Sequence, residues 1–229
     1  MEKISKNGIK AIIKNLFAYL VAVAVFLLCS GEIFALRGFT CYGLMIVGAI
    51  INNLFLIRNN PEVLNFRADD GSNTKIWDKK LIGLYFLMSI IVIPAVSGFD
   101  IRFEWSNLNI YFIIPGILLY LMSLGISTFA MVTNKYFEGT VRIQTERKQT
   151  VIDKGPYSVI RHPGNLCMIV SAFIPPLIIG SVYAFIPSLF AAFFIILRTI
   201  NEDNLLQKEL NGYNDYAQRV KYKLIPRIW

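Results

Sequence analysis

Two groups of side chains in the C-terminal third of this sequence have the types and spacing for chemistry. The first is Gly155-Pro156-Tyr157-Ser158-Val159-Ile160-Arg161-His162-Pro163, where a glycine and two prolines fix a turn directly before an apolar stretch. Pro163 suits the first turn of a helix, because the N–H it lacks would have no intrahelical acceptor there. Free backbone N–H groups at such a start, with Arg161 and His162 alongside, make a cationic pocket suited to a carboxylate or phosphate. The alternative is a basic cap on a membrane span with Tyr157 at the interface. The second group is Arg198, Glu202 and Asp203, at the polar end of the last apolar segment. Arg198 and Glu202 stand four residues apart on one helical face, so a local ion pair is the simple reading. Carboxylates at a bilayer boundary are costly without a partner, however, and a ligand with ribose hydroxyls and a positive sulfonium would supply one. Asp203 is alternatively just solvated.

Other chemistries are excluded by what the sequence lacks. There is no Gly-x-Gly-x-x-Gly dinucleotide loop and no Gly-x-x-x-x-Gly-Lys phosphate loop. His162 is the only histidine, so a site built on several histidines is impossible, and no metal is expected. Cys29, Cys41 and Cys167 sit in apolar stretches at unrelated spacings, which predicts buried thiols and neither disulfides nor a zinc site.

The elements that must position these residues are membrane spans. The chain has 229 residues, 55% of them hydrophobic, and a mean hydropathy of +0.52. Its apolar residues fall into blocks of the length that crosses a hydrocarbon core of about 30 Å. Six such blocks are read at 11–30, 39–57, 81–97, 109–133, 164–180 and 182–198. Pro175, Pro176 and Gly180 interrupt the last two, and Ser181 to Ala184 must form the turn. These two blocks are either a tight helical hairpin or one broken re-entrant element, so the count is five or six.

With six spans, every basic residue except Arg37 and Arg102 falls on one side, out of 23 in all. Both termini and the two long polar loops are therefore expected in the cytoplasm. The net charge of +8 reads as this bias and as contact with anionic lipid headgroups, with no nucleic-acid partner. The basic start and the apolar run after it are longer than a secretory signal and lack a cleavage site, which predicts a retained anchor. Residues 58–80, with Asn59-Asn60-Pro61 and Asp69-Asp70-Gly71-Ser72-Asn73, read as a solvated connection. Thr199 to Val220 reads as an amphipathic helix along the cytoplasmic surface, with Leu205, Leu206, Leu210, Tyr213 and Ala217 near helical spacing. The expected fold is all-α: a polytopic transmembrane helical bundle of five to six spans with a C-terminal cytoplasmic amphipathic helix. Residues 1–133 carry no motif tied to chemistry and are expected to be scaffold, with the functional core in 134–229.

Several ordered motifs resemble one family. Val141-Arg142-Ile143-Gln144, Gln149 to Asp153, Gly155-Pro156-Tyr157 and Arg161-His162-Pro163-Gly164 are similar to the cofactor-binding core of the isoprenylcysteine carboxyl methyltransferase family and its bacterial relatives. Arg198 with Glu202-Asp203 and Leu206 resembles the family's arginine and paired-acid segment. Leu210-x-Gly212-Tyr213-x-x-Tyr216-x-x-Arg219-Val220, leading to Pro226 and Trp229, resembles the tail of bacterial members. The resemblance covers roughly 140–229. It departs from the family at Asn165, where tyrosine is usual, at Cys167, where glycine is frequent, and at Asp203, where glutamate is more common.

The resemblance implies an S-adenosylmethionine-dependent methyltransferase whose cofactor lies between the Arg161-His162-Pro163 turn and the Glu202-Asp203 helix. It implies cofactor contacts from Tyr157, Arg161, His162, Pro163, Asn165, Glu202 and Asp203, and a lipophilic or lipidated substrate arriving from the membrane side. Arg198 is then expected to hold an acceptor carboxylate of a prenylcysteine-like compound, with Glu202 as the second catalytic residue. An amine acceptor, as in related phospholipid N-methyltransferases, would instead need a base such as Glu202 or His162. Related membrane reductases using a reduced nicotinamide cofactor, and a non-catalytic family member, are the remaining expectations.

Overall fold

A computed structural model describes residues 3–32, 35–67 and 74–229. Its helices are α1 (Lys6–Ser30), α2 (Leu36–Asn59), α3 (Pro61–Arg67), α4 (Ile76–Leu87), α5 (Ile93–Phe103), α6 (Ile113–Thr133), α7 (Pro163–Pro175), α8 (Phe185–Glu209) and α9 (Tyr213–Arg219). No strand occurs among the described residues. Among the described residues, six helical stretches are long and apolar enough to cross a membrane, which makes the chain a multi-pass integral membrane protein. Both of the final blocks qualify, so the expected count resolves to six, and Ser181 to Ala184 form the turn between them.

Two spans bend without breaking. A π-helical turn at Met88–Val92 joins α4 to α5 just before Pro94, and another at Pro176–Gly180 extends α7 past its two prolines. Proline removes a ladder N–H and crowds the preceding turn, and a widened turn absorbs both effects. Gly180 ends the second π turn in the left-handed region, at φ +93°. Arg37 packs against it and donates from Nε to the Ile178 carbonyl at 2.8 Å and from Nη1 to the Leu108 carbonyl at 2.8 Å, satisfying acceptors that a helix end leaves open. Small residues bring helices together: a Cβ on Gly98 of α5 would stand 2.7 Å from the Phe26 carbonyl of α1, and one on Gly116 of α6 would stand 2.7 Å from Ile178. Close backbone approach of this kind supplies the packing that membrane helices need, since lipid gives them no hydrophobic drive to associate.

Contacts sort the connections between two ends of the bundle. At one end Arg37, Asn107 and Ile178 meet, and Asp100 accepts from Ser106 and Ser181. The other end gathers the start of α1 with α3 (Ser5 N to Asn65 Oδ1, 2.8 Å), the ends of α2 and α6 (Asn60 Nδ2 to the Met131 carbonyl, 3.0 Å), and the starts of α4 and α7 with the end of α8.

Three expectations change. Residues 61–67 are not a plain solvated connection: Pro61 opens α3, which buries Val63 and Leu64 against Leu56 and Met131. The second turn-forming cluster, Asp69 to Asn73, lies outside the described residues. The separate helix expected from Thr199 is instead the continuation of α8, because no glycine or proline interrupts it there. The break comes at Gly212, at φ +81°, and only the short α9 follows. Cys41 and Cys167 are buried free thiols, and Cys29 is half-buried and free.

Candidate functional site

The chain from Asn134 to His162 has little regular structure, and ion pairs hold its course. Arg142 forms a fork with both Glu138 oxygens at 2.9 Å and also reaches Glu146, while Arg147 pairs with Glu62 of α3 and lies over the Phe66 ring. Gln144 donates to the Tyr136 carbonyl at 2.8 Å. Tyr157 is buried, its hydroxyl accepting from Asn134 Nδ2 at 3.2 Å and its carbonyl accepting from the Tyr216 hydroxyl at 2.7 Å. The 155–163 turn is thereby fastened to both α6 and α9.

Asp203 organises the next layer. Fully buried, it accepts a fork from Arg161 (Nε to Oδ1 2.8 Å, Nη2 to Oδ2 2.9 Å), a hydrogen bond from the Tyr213 hydroxyl at 3.0 Å and one from Gln207 at 2.8 Å. His162 Nε2 stands 3.1 Å from the same carboxylate and Lys223 Nζ 3.4 Å away. Arg161 spends its remaining N–H groups on the carbonyls of Val220 and Lys221, at 2.8 and 2.9 Å. Such a buried, charge-assisted network is stable only when every lone pair and proton is used, and here nearly all are. It fixes the tail against the 161–163 turn.

Glu202, one position earlier and on another face of α8, is the acid that looks inward. Its Oε2 accepts from Asn165 Nδ2 at 2.8 Å and lies 3.6 Å from Arg198 Nη1, and its Oε1 is 3.8 Å from His162 Nδ1. Its side chain stays 22% exposed, against none for Asp203. Arg198 is held just as firmly: Nε donates to Asp78 Oδ1 at 2.7 Å, Nη1 to Asn165 Oδ1 at 2.6 Å and Nη2 to the Gly139 carbonyl at 3.3 Å. The other oxygen of Asp78 accepts the Val141 backbone N–H at 2.7 Å. Asn165 thus bridges Arg198 and Glu202 through both ends of its amide.

Burial opposes the charged form of His162, but the hydrogen bonds and charges of Asp203 and Glu202 outweigh it and hold the imidazole's pKa above its ordinary value. Both ring nitrogens face carboxylates, which favours the protonated ring.

These residues line a cavity of about 370 Å³ that extends from the start of α7 into the bundle. Tyr157, Arg161, His162, Pro163, Asn165, Arg198 and Glu202 all reach it, whereas Asp203 stands behind its wall. Of the residues expected at the site, Asp203 is therefore the one placed to support the others. Sequence reasoning missed Asp78 and Arg67. Asp78 carries a readable signal, a carboxylate near the start of an apolar span, which is costly without a partner.

Residues 116–208 match the isoprenylcysteine carboxyl methyltransferase (ICMT) family. The matched segment begins within α6 and ends at Lys208 of α8, taking in the 134–162 chain, the Arg161-His162-Pro163 turn, Asn165, Arg198 and Glu202. The match starts earlier than the 140–229 read from the motifs, and the tail from Leu210 lies outside it. Helices α1 to α5, with Asp78 and Arg67, also lie outside it. No curated relative matches the chain. This match, within a bundle that has six membrane-length helices among the described residues, supports a membrane methyltransferase.

Proposed function

We propose that this protein transfers a methyl group from S-adenosylmethionine to a lipophilic carboxylate, of the prenylcysteine-like kind, at the end of the bundle that carries the basic loops. The observation that carries the reading is the Glu202 carboxylate, held by Asn165, Arg198 and His162 and open to a cavity whose volume is in the usual range for small-molecule sites. The residues present fit this cofactor. A carboxylate suits its positive charges and hydroxyls. The backbone N–H groups of Gly164 and Asn165, in the first turn of α7, have no acceptor among the described residues and suit its carboxylate. When bound, S-adenosylmethionine supplies an electrophilic methyl carbon on sulfur.

Methyl transfer is an in-line displacement, so the protein's work is to align two reactants and keep water out. Arg198 and Asn165 fix Glu202, and Asp203 fixes Arg161, His162 and the tail. Arg198 itself is a positioning group, because its three nitrogens already face Asp78, Asn165 and Gly139. A carboxylate acceptor is ionised at neutral pH and needs no base. An amine acceptor would need one, and His162, with both ring nitrogens facing carboxylates that favour its protonated form, is poorly suited. For a lipophilic acceptor, a groove between α2 and α6, lined by Ile51, Phe55, Leu121, Gly125 and Phe129, opens on the lipid side. Asn52 and Leu124 line both this groove and the inner cavity, which supports access from the membrane.

Calorimetric titration of the detergent-purified protein tests the cofactor. Wild type should bind S-adenosylmethionine and its demethylated product at micromolar levels, and Glu202→Gln should bind at least about ten-fold more weakly through the lost charge. A folded wild-type sample that binds neither compound, or binds reduced nicotinamide cofactor instead, overturns the reading.

A further inference from the structure

The inner cavity holds one arginine that the rest of the site does not explain. Arg142, Arg147, Arg161 and Arg198 each meet a carboxylate. Arg67, the last residue of α3, meets none among the described residues. Its Nη1 points to the thioether sulfur of Met131 at 3.4 Å, a weak acceptor, and its guanidinium lies 5.7 Å from the centre of the Phe137 ring. Burial without an acid pushes its pKa below the usual arginine value, despite the nearby Tyr19. A charge kept in such surroundings without a counter-charge is costly, and in membrane proteins it marks a ligand or substrate path.

The position of Arg67 connects it to the site. It lines the same cavity as Glu202 and Asn165. The Phe137 ring beneath it packs on Gly164, where a Cβ would stand 2.7 Å from the ring edge. One aromatic ring therefore separates the guanidinium from the first turn of α7. Tyr19 of α1 lines the cavity too, and its hydroxyl has no hydrogen-bond partner among the described residues. Arg198, by contrast, has its nitrogens occupied.

We propose that Arg67, assisted by the Tyr19 hydroxyl, is the anion-binding group of the acceptor subsite and holds the substrate's carboxylate, the role the sequence motif assigns to Arg198. This rests on the reading above that the acceptor is a lipophilic carboxylate. It places acceptor recognition on α1 and α3, outside the ICMT segment, while the cofactor end lies inside it. One family segment could then serve acceptors whose charge is set by the remaining helices.

The test uses full-length protein in nanodiscs and two probes, a prenyl thioether carboxylic acid and its primary amide. Wild type should bind the acid about ten- to a hundred-fold more tightly than the amide, the usual worth of a charge-assisted hydrogen-bond pair. Arg67→Gln should abolish that preference by weakening the acid alone, Arg67→Lys should keep part of it, and Tyr19→Phe should reduce it several-fold. Calorimetric affinity for S-adenosylmethionine should stay unchanged in all three. No carboxylate is left unpaired among the described residues when Arg67 is replaced, so the variants should fold. Loss of cofactor binding by wild type would count against the proposed function. Intact cofactor binding with no acid preference in wild type, or with full preference kept in Arg67→Gln, overturns the inference about Arg67. Nanodiscs with and without anionic phospholipid separate the sources of the anion. Competition by the phospholipid that removes the acid preference would assign Arg67 to a lipid headgroup and overturn the acceptor role.

Discussion

His162, the only histidine in the chain, is the side chain at the site whose charge changes nearest neutral pH. Its two ring nitrogens stand 3.1 Å from Asp203 and 3.8 Å from Glu202, and these carboxylates hold its pKa above the ordinary 6.5 against the effect of burial. A raised folded-state pKa means that the folded protein binds the proton more tightly than the unfolded chain does. The stabilisation is complete below about 6.5 and is lost as pH rises through the folded value. Thermal unfolding of wild type and His162→Gln, compared from about pH 5.5 to 9, should show the widest gap at the acid end and a narrowing one toward the alkaline end. A gap that widens with pH would mean that the ring is buried neutral. His162, Arg161 and Glu202 were legible in the sequence because their signals are local: a proline-bounded turn, and an acid four residues from an arginine. Arg67 was not, since its partner Met131 lies 64 positions away, and the cost of a carboxylate at the start of a span signals that Asp78 has a partner without identifying Arg198, 120 positions on. Asp203 was legible as a site residue but not as a support, because one sequence cannot tell which face of α8 meets the cavity.

At the scale of helices, the same substitution has opposite consequences according to backbone conformation. Neither Gly83 of α4 nor Gly212 before α9 has an atom within 4 Å of an added Cβ, so space does not distinguish them. Gly83 has helical neighbours, and alanine there should stabilise the fold by about 0.5–1 kcal/mol through lost freedom in the unfolded chain. Gly212 sits at φ +81°, where alanine should cost about 1–2 kcal/mol. That cost falls on the turn that brings Tyr213 onto Asp203, so Gly212→Ala should also loosen the tail. Unfolding in denaturant should give shifts of opposite sign, and equal shifts would remove conformation as the cause. The spans were legible from length and apolar content, properties that the bilayer imposes on each segment alone. The end of α8 was not. Its composition turns polar after Arg198, but a change of solvent does not end a helix, and the sequence offers no breaker before Gly212. In α3, Pro61 was read as part of a turn when it was the first residue of a helix.

For the whole molecule, the distribution of charge and the position of the site lead to one orientation. Apart from Arg37 and Arg102, the chain's basic residues belong to the end where the 134–162 segment, α3, α9 and the tail converge. Arg37 is not a free topological charge, because the carbonyls of Leu108 and Ile178 hold it. The bias therefore rests on residues that must stay in water on one side, and the positive-inside tendency predicts that this side is the cytoplasmic one. The site requires the same side. Under the proposed function, S-adenosylmethionine is charged and would arrive through water, while a lipophilic acceptor would approach through the groove between α2 and α6. A cavity joining the two has to open near the aqueous boundary, where the start of α7 and Glu202 stand. Lys154→Cys and Tyr111→Cys, each exposed and on opposite ends, report the orientation when introduced singly with Cys29→Ala. In intact cells an impermeant maleimide should label Tyr111→Cys and spare Lys154→Cys until the membrane is permeabilised. The reverse pattern would put the site on the outer face, away from a cytoplasmic supply of S-adenosylmethionine. The positive-inside reading and the cofactor would then have to fall together, because both depend on the same end of the bundle.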